Sequence, residues 1–119
     1  MKKTLVLGAS DNPSRYSFLA IKKLRRYGHE VVAIGRKNTQ VDDVMISKEK
    51  PSERNIDTVT LYLNPNHQRE YYDYILSLHP KRIIFNPGAE NEELEALARE
   101  QGIEAKEACT LVMLSTNQY

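Results

Sequence analysis

The chain has 119 residues, a net charge of +1 and 40% hydrophobic residues, which are ordinary values for one globular domain. This balance excludes a strong attraction to nucleic acid or to an anionic membrane, and no apolar run is long enough to span a bilayer. A single cysteine excludes an internal disulfide, and no apolar leader follows the first residues. We therefore expect a cytoplasmic protein.

The N-terminal part of the chain predicts a strand, a helix and a second strand. Residues 3–7 lack polar and apolar alternation, as in a strand buried on both faces, and Gly8 ends this strand. Residues 14–27 carry apolar side chains at three- and four-residue spacing, which is typical of a helix with one buried face. Residues 31–34 predict a second buried strand, stopped by Gly35. These elements together predict a right-handed βαβ unit.

Residues 36–56 carry the weakest pattern in the chain. Within them, residues 44–46 suit a short strand, and residues 48–54 predict a charged surface connection with at most one helical turn. Residues 57–63 are rich in β-branched and aromatic side chains and predict a further strand. No linker, repeat or low-complexity segment divides the chain, so we expect one domain over residues 1–119.

The second half of the chain predicts further helices and strands. Asn64 suits a helix N-cap with Pro65 at the first helical position, and the apolar spacing over residues 71–78 predicts the helix itself. Residues 82–85 form the next apolar run and predict a strand. Asn91 suits the N-cap of another helix, whose first turn is acidic and therefore favourable to the helix dipole.

The C-terminal part predicts an edge strand and an apolar segment. Gly102 suits the end of the preceding helix, residues 103–106 suit an edge strand, and residues 109–114 are apolar. In total, four or five short buried strands alternate with helices. This pattern predicts a Rossmann-like α/β fold, a three-layer sandwich whose mostly parallel sheet of about five strands is covered by helices on both faces.

Ligands of such sheets bind beyond the carboxyl ends of the strands, where the strand order reverses. The segments expected at that edge are residues 8–15, 35–38, 64–67 and 86–91. All four are rich in glycine, asparagine, proline or basic residues. The sequence therefore predicts a polar, partly cationic crevice.

The turn after the first strand is the main candidate site. Gly8 allows a backbone conformation that other residues resist, and Ala9 and Ser10 add little bulk. The side chains of Ser10 and Asn12 can donate hydrogen bonds to phosphate oxygens. Arg15 lies near the start of the helix, where a cation is unfavourable unless an anion is bound. The pattern predicts a phosphate-binding turn, with one glycine of the familiar Gly-x-Gly-x-x-Gly spacing.

Arg36 and Lys37 indicate the kind of coenzyme. An NAD site usually carries an acidic residue after the second strand, which holds the ribose 2′-hydroxyl. Two cations at that place suit a phosphorylated ribose instead. Coenzyme A, with its 3′-phosphate, and NADP, with its 2′-phosphate, both fit this pattern; a plain surface pair is the alternative.

Two proline-containing turns complete the crevice. Asn64 and Pro65, and likewise Asn86, Pro87 and Gly88, are interpreted first as helix caps and second as ligand contacts. Gly88 would allow the backbone to approach a pantetheine or a pyrophosphate.

No catalytic constellation and no metal-ligand spacing is present in the sequence. The basic cluster Lys22, Lys23, Arg25 and Arg26 lacks the interleaved aromatic residues that stack nucleic-acid bases, so we interpret it as a solvated helix face. These observations favour a binding protein over an enzyme.

In their order along the chain, these motifs resemble the small stand-alone CoA-binding proteins. Those proteins are related to the CoA-binding domains of succinyl-CoA synthetase and of NDP-forming acyl-CoA synthetases. The resemblance is carried by residues 6–10 with 12, 13 and 15, by residues 27–34 leading to 36 and 37, by residues 86–89 with 91–93, and by residues 102 and 103 followed by Cys109. It implies a Rossmann-like sheet and the coenzyme as a small-molecule partner.

The resemblance also implies roles for individual residues. Gly8, Ala9, Ser10 and Arg15 would hold the CoA diphosphate. Arg36 or Lys37 would contact the 3′-phosphate or the adenosine end. The phosphohistidine and the nucleotide-grasp machinery of the ligases belong to further domains, for which this chain has no room.

We therefore expect a non-catalytic binding or regulatory module for coenzyme A or an acyl-CoA. One alternative is an NADP(H)-binding, oxidoreductase-like protein, and another is a Rossmann-shaped interaction subunit without a coenzyme. A homodimer through an exposed edge strand or through residues 109–114 is compatible with the pattern.

Overall fold

A computed structural model describes all 119 residues and places the strands of the chain in one sheet. The strands are β1 (Thr4–Ala9), β2 (Val31–Gly35), β3 (Thr39–Val41), β4 (Val44–Ser47), β5 (Thr58–Leu61), β6 (Arg82–Phe85) and β7 (Glu104–Glu107). The helices are α1 (Tyr16–Arg26), α2 (Pro65–Gln68), α3 (Tyr72–Ser77), α4 (Glu92–Glu100) and α5 (Thr110–Ser115), with a 3₁₀ turn at Arg69–Tyr71 between α2 and α3.

The sheet has the order β3-β4-β2-β1-β5-β6-β7, and only the β3–β4 pair is antiparallel. The chain passes from β1 to β2 on one side and later returns to pair β5 with β1 on the other side. The strand order therefore reverses at β1, which confirms the expected Rossmann-like α/β fold. Seven strands are present where about five were expected. None of the helices is long and apolar enough to cross a membrane.

The side chains of β1 alternate between two hydrophobic clusters on opposite faces of the sheet. Leu5 and Leu7 belong to a cluster that includes Leu94 of α4. Val6 belongs to the other cluster, which includes Ile21 of α1 and Leu114 of α5. Both faces of the central strand are therefore buried, as the absence of alternation over residues 3–7 predicted.

The β3–β4 hairpin is the part of the sheet that the sequence pattern predicts least well. Only the β4 strand was expected, and the helical turn allowed for residues 48–54 is wrong, since no helix lies between β4 and β5. A two-residue turn connects the strands, with Val41 opposite Val44, and Asp42 in it has a φ of 51°. Burial of both valines against the α1 face fixes the register of the hairpin.

β1 continues one residue beyond Gly8, so the expected end of the strand at that glycine is wrong. Gly8 has a φ of +93°, and the pairing of β1 with β2 shifts there between Leu7 and Ala9. A Cβ atom on Gly8 would lie 2.9 Å from the carbonyl carbon of Tyr62, which follows β5. The glycine therefore forms a bulge that brings the backbone of β1 close to its neighbour.

We expect Gly8→Ala to reduce the free energy of unfolding by about 3 kcal/mol, because it adds a backbone clash to an unfavourable φ. Gly88→Ala is the matched control, since Gly88 has a φ of +92° and open space around its missing Cβ. That variant should lose only about 1 kcal/mol. Urea denaturation of both variants measures the difference; equal losses would show that the contact with Tyr62 does not constrain the strand.

Candidate functional site

The loops that follow β1, β2, β5 and β6 lie at one edge of the sheet, because the carboxyl ends of parallel strands share an edge. Contacts between these loops show that they are continuous. Asp11 after β1 pairs with Lys37 after β2, and a Cβ on Gly8 would touch Leu63 after β5. Asn86 after β6 donates a hydrogen bond to the carbonyl of Leu61. The candidate residues therefore lie together at the carboxyl edge of the sheet, where the crevice is expected.

The turn after β1 is shaped by its own side chains. Ser10 Oγ accepts a hydrogen bond from the N–H of Asn12 at 3.0 Å. Asn12 Oδ1 accepts from both the N–H and the hydroxyl of Ser14, at 3.0 and 2.8 Å. The backbone N–H of Ser10 has no acceptor within the chain, whereas that of Asp11 faces its own carboxylate. The turn thus offers an unused donor on a backbone that is already ordered.

The start of α1 adds further unused donors to this turn. Arg15 is the N-cap residue and provides no side-chain cap, and the first turn carries no acidic residue. The N–H groups of the first three helical residues have no acceptor within the chain. The positive end of the helix dipole therefore faces the crevice with its donors free, which is the arrangement that binds anions.

α4 shows the opposite arrangement. Asn91 caps this helix and accepts hydrogen bonds from the N–H groups of Glu93 and Leu94, as the sequence predicted. Its first turn is acidic, so the dipole is already compensated.

The cations at the crevice differ in what they contact. Lys37 Nζ lies 3.3 Å from a carboxylate oxygen of Asp11, which also accepts a hydrogen bond from the Thr39 hydroxyl at 2.8 Å. The Thr39 hydroxyl, together with Lys37, holds the pKa of Asp11 below its ordinary value. The side chains of Arg15 and Arg36 are exposed and form no ion pair. Two guanidinium groups therefore remain free to meet an anion.

The turn after β5 has the capping geometry that the sequence predicted. Asn64 is the N-cap of α2, and its Oδ1 accepts the N–H of His67 at 3.2 Å. Pro65 occupies the first helical position. Both residues are exposed at the crevice, and their contact with a ligand remains a prediction.

Asn86 is 2% exposed, and its side chain is used inside the protein. Its Nδ2 donates to Thr60 Oγ1 at 2.7 Å and to the carbonyl of Leu61 at 2.8 Å. Its Oδ1 accepts the N–H of Thr110, the first residue of α5, at 2.9 Å. The amide clamps β6 to β5 and to α5, so the side chain of Asn86 is not free to bind a ligand.

Pro87 and Gly88 are exposed, but the backbone N–H of Gly88 already has a hydrogen-bond acceptor. The N–H of Gly88 donates to Glu90 Oε1 at 2.9 Å. Glu92 and Glu93 follow in the first turn of α4. This end of the crevice is acidic and disfavours a phosphate, whereas an uncharged part of a ligand fits it.

Three features of the crevice were not predicted from the sequence. The Asp11 contact with Thr39 and Lys37 joins residues far apart in the chain, and no local pattern signals it. Tyr62 places its hydroxyl in a buried position without a partner, and burial raises the pKa of this phenol. Gln68 donates to the carbonyls of Leu63 and Ala89 and so joins the loops after β5 and β6. No three His, Cys, Asp or Glu side chains lie close enough together to hold a metal ion.

Comparison with known proteins identifies the family and the fold of the chain. A family model described as a CoA binding domain matches residues 2–115. The crystal structure of an uncharacterised protein is 53% identical, with a TM-score of 0.97 over 100% of this chain and 98% of that one. None of the curated proteins matches the chain.

Two more distant structures share the fold. A hypothetical protein from Pyrococcus horikoshii OT3 is 23% identical, with a TM-score of 0.87 over 97% of this chain and 82% of that one. A structure named cell-free ID.343 from Thermus thermophilus is 20% identical, with a TM-score of 0.87 over 99% of this chain and 90% of that one.

We expect Asn86→Ala to reduce the free energy of unfolding by about 3 kcal/mol, because it leaves several buried polar groups without a partner. Asn66→Ala is the control, since Asn66 is exposed in the neighbouring turn, and it should change stability by less than about 0.5 kcal/mol. Urea denaturation of both variants checks this. A loss as small as that of the control would contradict the clamp.

Proposed function

Because the chain belongs to the CoA-binding domain family, we propose that it binds coenzyme A or an acyl-CoA at the carboxyl edge of its sheet, as a binding or regulatory module and not as an enzyme. The observation that supports this most directly is the set of unused donors after β1. The N–H groups of Ser10 and of the first turn of α1 lie beside the unpaired Arg15. Several donors and a guanidinium in one place suit a diphosphate.

The diphosphate would lie against the turn from Gly8 to Arg15. Gly8 and the buried Ala9 lead β1 into the turn without a bulky side chain, while Ser10 and Asn12 hold the turn in shape through their side-chain hydrogen bonds. Arg15 extends from the N-cap position of α1 and would pair with a phosphate oxygen. The negative charge that compensates the dipole of the uncapped helix α1 would then come from the ligand.

The 3′-phosphate of the ribose would lie beyond β2, at Arg36 or Lys37. Arg36 is the better candidate because its guanidinium has no ion-pair partner and presents several donors to one phosphate. Lys37 is held by Asp11, so a phosphate would have to compete with that carboxylate.

The uncharged pantetheine would continue toward β5 and β6. Asn64 and Pro65 border its path, and Pro87, Gly88 and the backbone of Asn86 lie at the far end. The carboxylate of Glu90 at that end would repel a phosphate but not an amide chain. The charges along the crevice therefore favour one orientation of the coenzyme.

NADP is the second candidate ligand, since Arg36 would also suit a 2′-phosphate. The family match favours coenzyme A. An interaction subunit without a coenzyme is the remaining alternative, and the absence of binding to either nucleotide would support it.

Calorimetry with coenzyme A, dephospho-CoA, NADP and NAD tests the ligand. We expect coenzyme A to bind best, and Arg36→Ala to weaken it by about tenfold, equivalent to about 1.4 kcal/mol, because a charge-assisted contact is lost. Dephospho-CoA should bind this variant and the unchanged protein equally.

Arg54→Ala is the matched control, because Arg54 is an exposed arginine that precedes β5 at the opposite edge of the sheet. No binding of coenzyme A at millimolar concentration would overturn the proposed function. Equal affinity of the unchanged protein for coenzyme A and dephospho-CoA would exclude only the contact of Arg36 with the 3′-phosphate and would leave the rest of the proposal in place.

Asp11→Asn should tighten the binding of coenzyme A several-fold, because it removes a negative charge beside the diphosphate and frees Lys37. Asp43→Asn is the control, since Asp43 pairs with Arg25 away from the crevice. Calorimetry at low and high salt measures the gain, which should shrink as salt screens the charges. Weaker binding by Asp11→Asn would instead show that this carboxylate is needed to hold the turn.

A further inference from the structure

A shallow groove between α1 and α5 is a surface that the coenzyme proposal does not use. This α1–α5 groove has a volume of about 300 Å³ and is lined by Leu19, Lys22, Lys23, Arg26 and Leu111. Leu19 and Leu111 make its apolar part, and the remaining lining residues are all cations.

Further apolar side chains are exposed on the same two helices. Leu19 is 42% exposed, Tyr16 one helical turn before it is 71% exposed, and Val112 on α5 is 57% exposed. Exposed apolar side chains on neighbouring elements are more typical of a binding surface than single ones scattered over a protein.

The cations of α1 are only partly neutralised. Lys22 Nζ lies 3.0 Å from a carboxylate oxygen of Asp42, and Arg25 Nη2 lies 2.6 Å from one of Asp43. Both aspartates belong to the turn of the β3–β4 hairpin. Lys23 forms a hydrogen bond with Ser115 of α5 and no ion pair, and no carboxylate lines the groove.

Arg26 is exposed and forms no ion pair either. The groove therefore combines an apolar part with a net positive wall.

A two-fold dimer centred on the groove does not complement this surface, because the cations of one copy would face the cations of the other. The net charge of +1 gives the chain no strong attraction to an anionic membrane. An anionic partner with apolar side chains at helical spacing would pack against the apolar part of the groove and pair with its cations.

We propose that the α1–α5 groove binds an acidic amphipathic helix of a partner protein. Apolar side chains on one face of that helix would pack against Leu19 and Leu111. Its carboxylates would pair with Lys23 and Arg26. The proposal rests on the groove alone and does not depend on coenzyme binding.

The test uses the full chain and a fluorescein-labelled synthetic peptide, with leucine at three- and four-residue spacing and glutamate at the other positions. A second peptide carries lysine in place of glutamate, and a third carries alanine in place of leucine. We expect fluorescence anisotropy to show binding of the first peptide only.

Leu19→Asp and Arg26→Glu should each weaken binding of the first peptide by tenfold or more. Met45→Asp is the matched control, since Met45 is 65% exposed on β4, outside the groove, and it should bind as the unchanged chain does. The double variant Lys23→Glu with Arg26→Glu should prefer the lysine peptide.

Circular dichroism and thermal melting of each variant check that it is folded, and calorimetry should show unchanged coenzyme A binding. That last measurement separates a failure of this proposal from a failure of the proposed function.

No binding of the glutamate peptide, or equal binding of the glutamate and lysine peptides, would overturn the proposal. So would binding that Leu19→Asp leaves unchanged. Sedimentation of the chain with phosphatidylserine vesicles, abolished by Leu19→Asp, would assign the groove to a membrane instead. Self-association that Leu19→Asp abolishes would assign it to a second copy.

Discussion

The close approach of β1 to its neighbours at its carboxyl end is the constraint on which the crevice depends. Gly8 lies against the backbone of Tyr62, and a Cβ on Gly35 would lie only 2.4 Å from the carbonyl oxygen of Ala9. Without these two glycines, β2 and β5 could not both stay paired with β1 as it bulges. The bulge turns the chain out of the sheet and leaves the N–H of Ser10 in the following turn unpaired. Sheet packing and the candidate phosphate turn therefore require the same backbone.

The two ends of the crevice differ in whether their polar groups already have hydrogen-bond partners within the protein. After β1, the N–H groups of Ser10 and of the first turn of α1 have no acceptor. After β6, Asn91 satisfies the start of α4, Glu90 occupies the N–H of Gly88, and the Asn86 amide is bonded internally. The first end therefore suits an anion, and the carboxylates at the second end disfavour one. This asymmetry, more than any single contact, gives the crevice a direction that matches a ligand with charged and uncharged halves.

The sequence predicts those parts of the structure that depend on neighbours in the chain. The buried strands and the caps at Asn64 and Asn91 follow from local patterns, and they are present. The second strand of the β3–β4 pair was expected and the first was not, because burial of Val41 against α1 determines it. The use of Asn86 as a clamp depends on α5, which follows much later in the chain. The free donors of the turn and of α1 follow from the local sequence. Their exposure, and the carboxylates that compete with a ligand for nearby donors, depend on packing between distant segments.

The ion pairs of three aspartates determine which cations are free to bind a ligand or a partner protein. The pairs are Asp11 with Lys37, Asp42 with Lys22, and Asp43 with Arg25. Two of these aspartates form the turn of the β3–β4 hairpin, so the folding of that hairpin selects the free charges on α1. Arg15 and Arg36 remain unpaired at the crevice, and Arg26 remains unpaired on the outer face of α1. A net charge of +1 conceals this separation. One helix can therefore serve an anion at its N-terminus and an acidic partner along its side, because the hairpin neutralises Lys22 and Arg25 and leaves Arg15, Lys23 and Arg26 without an ion pair.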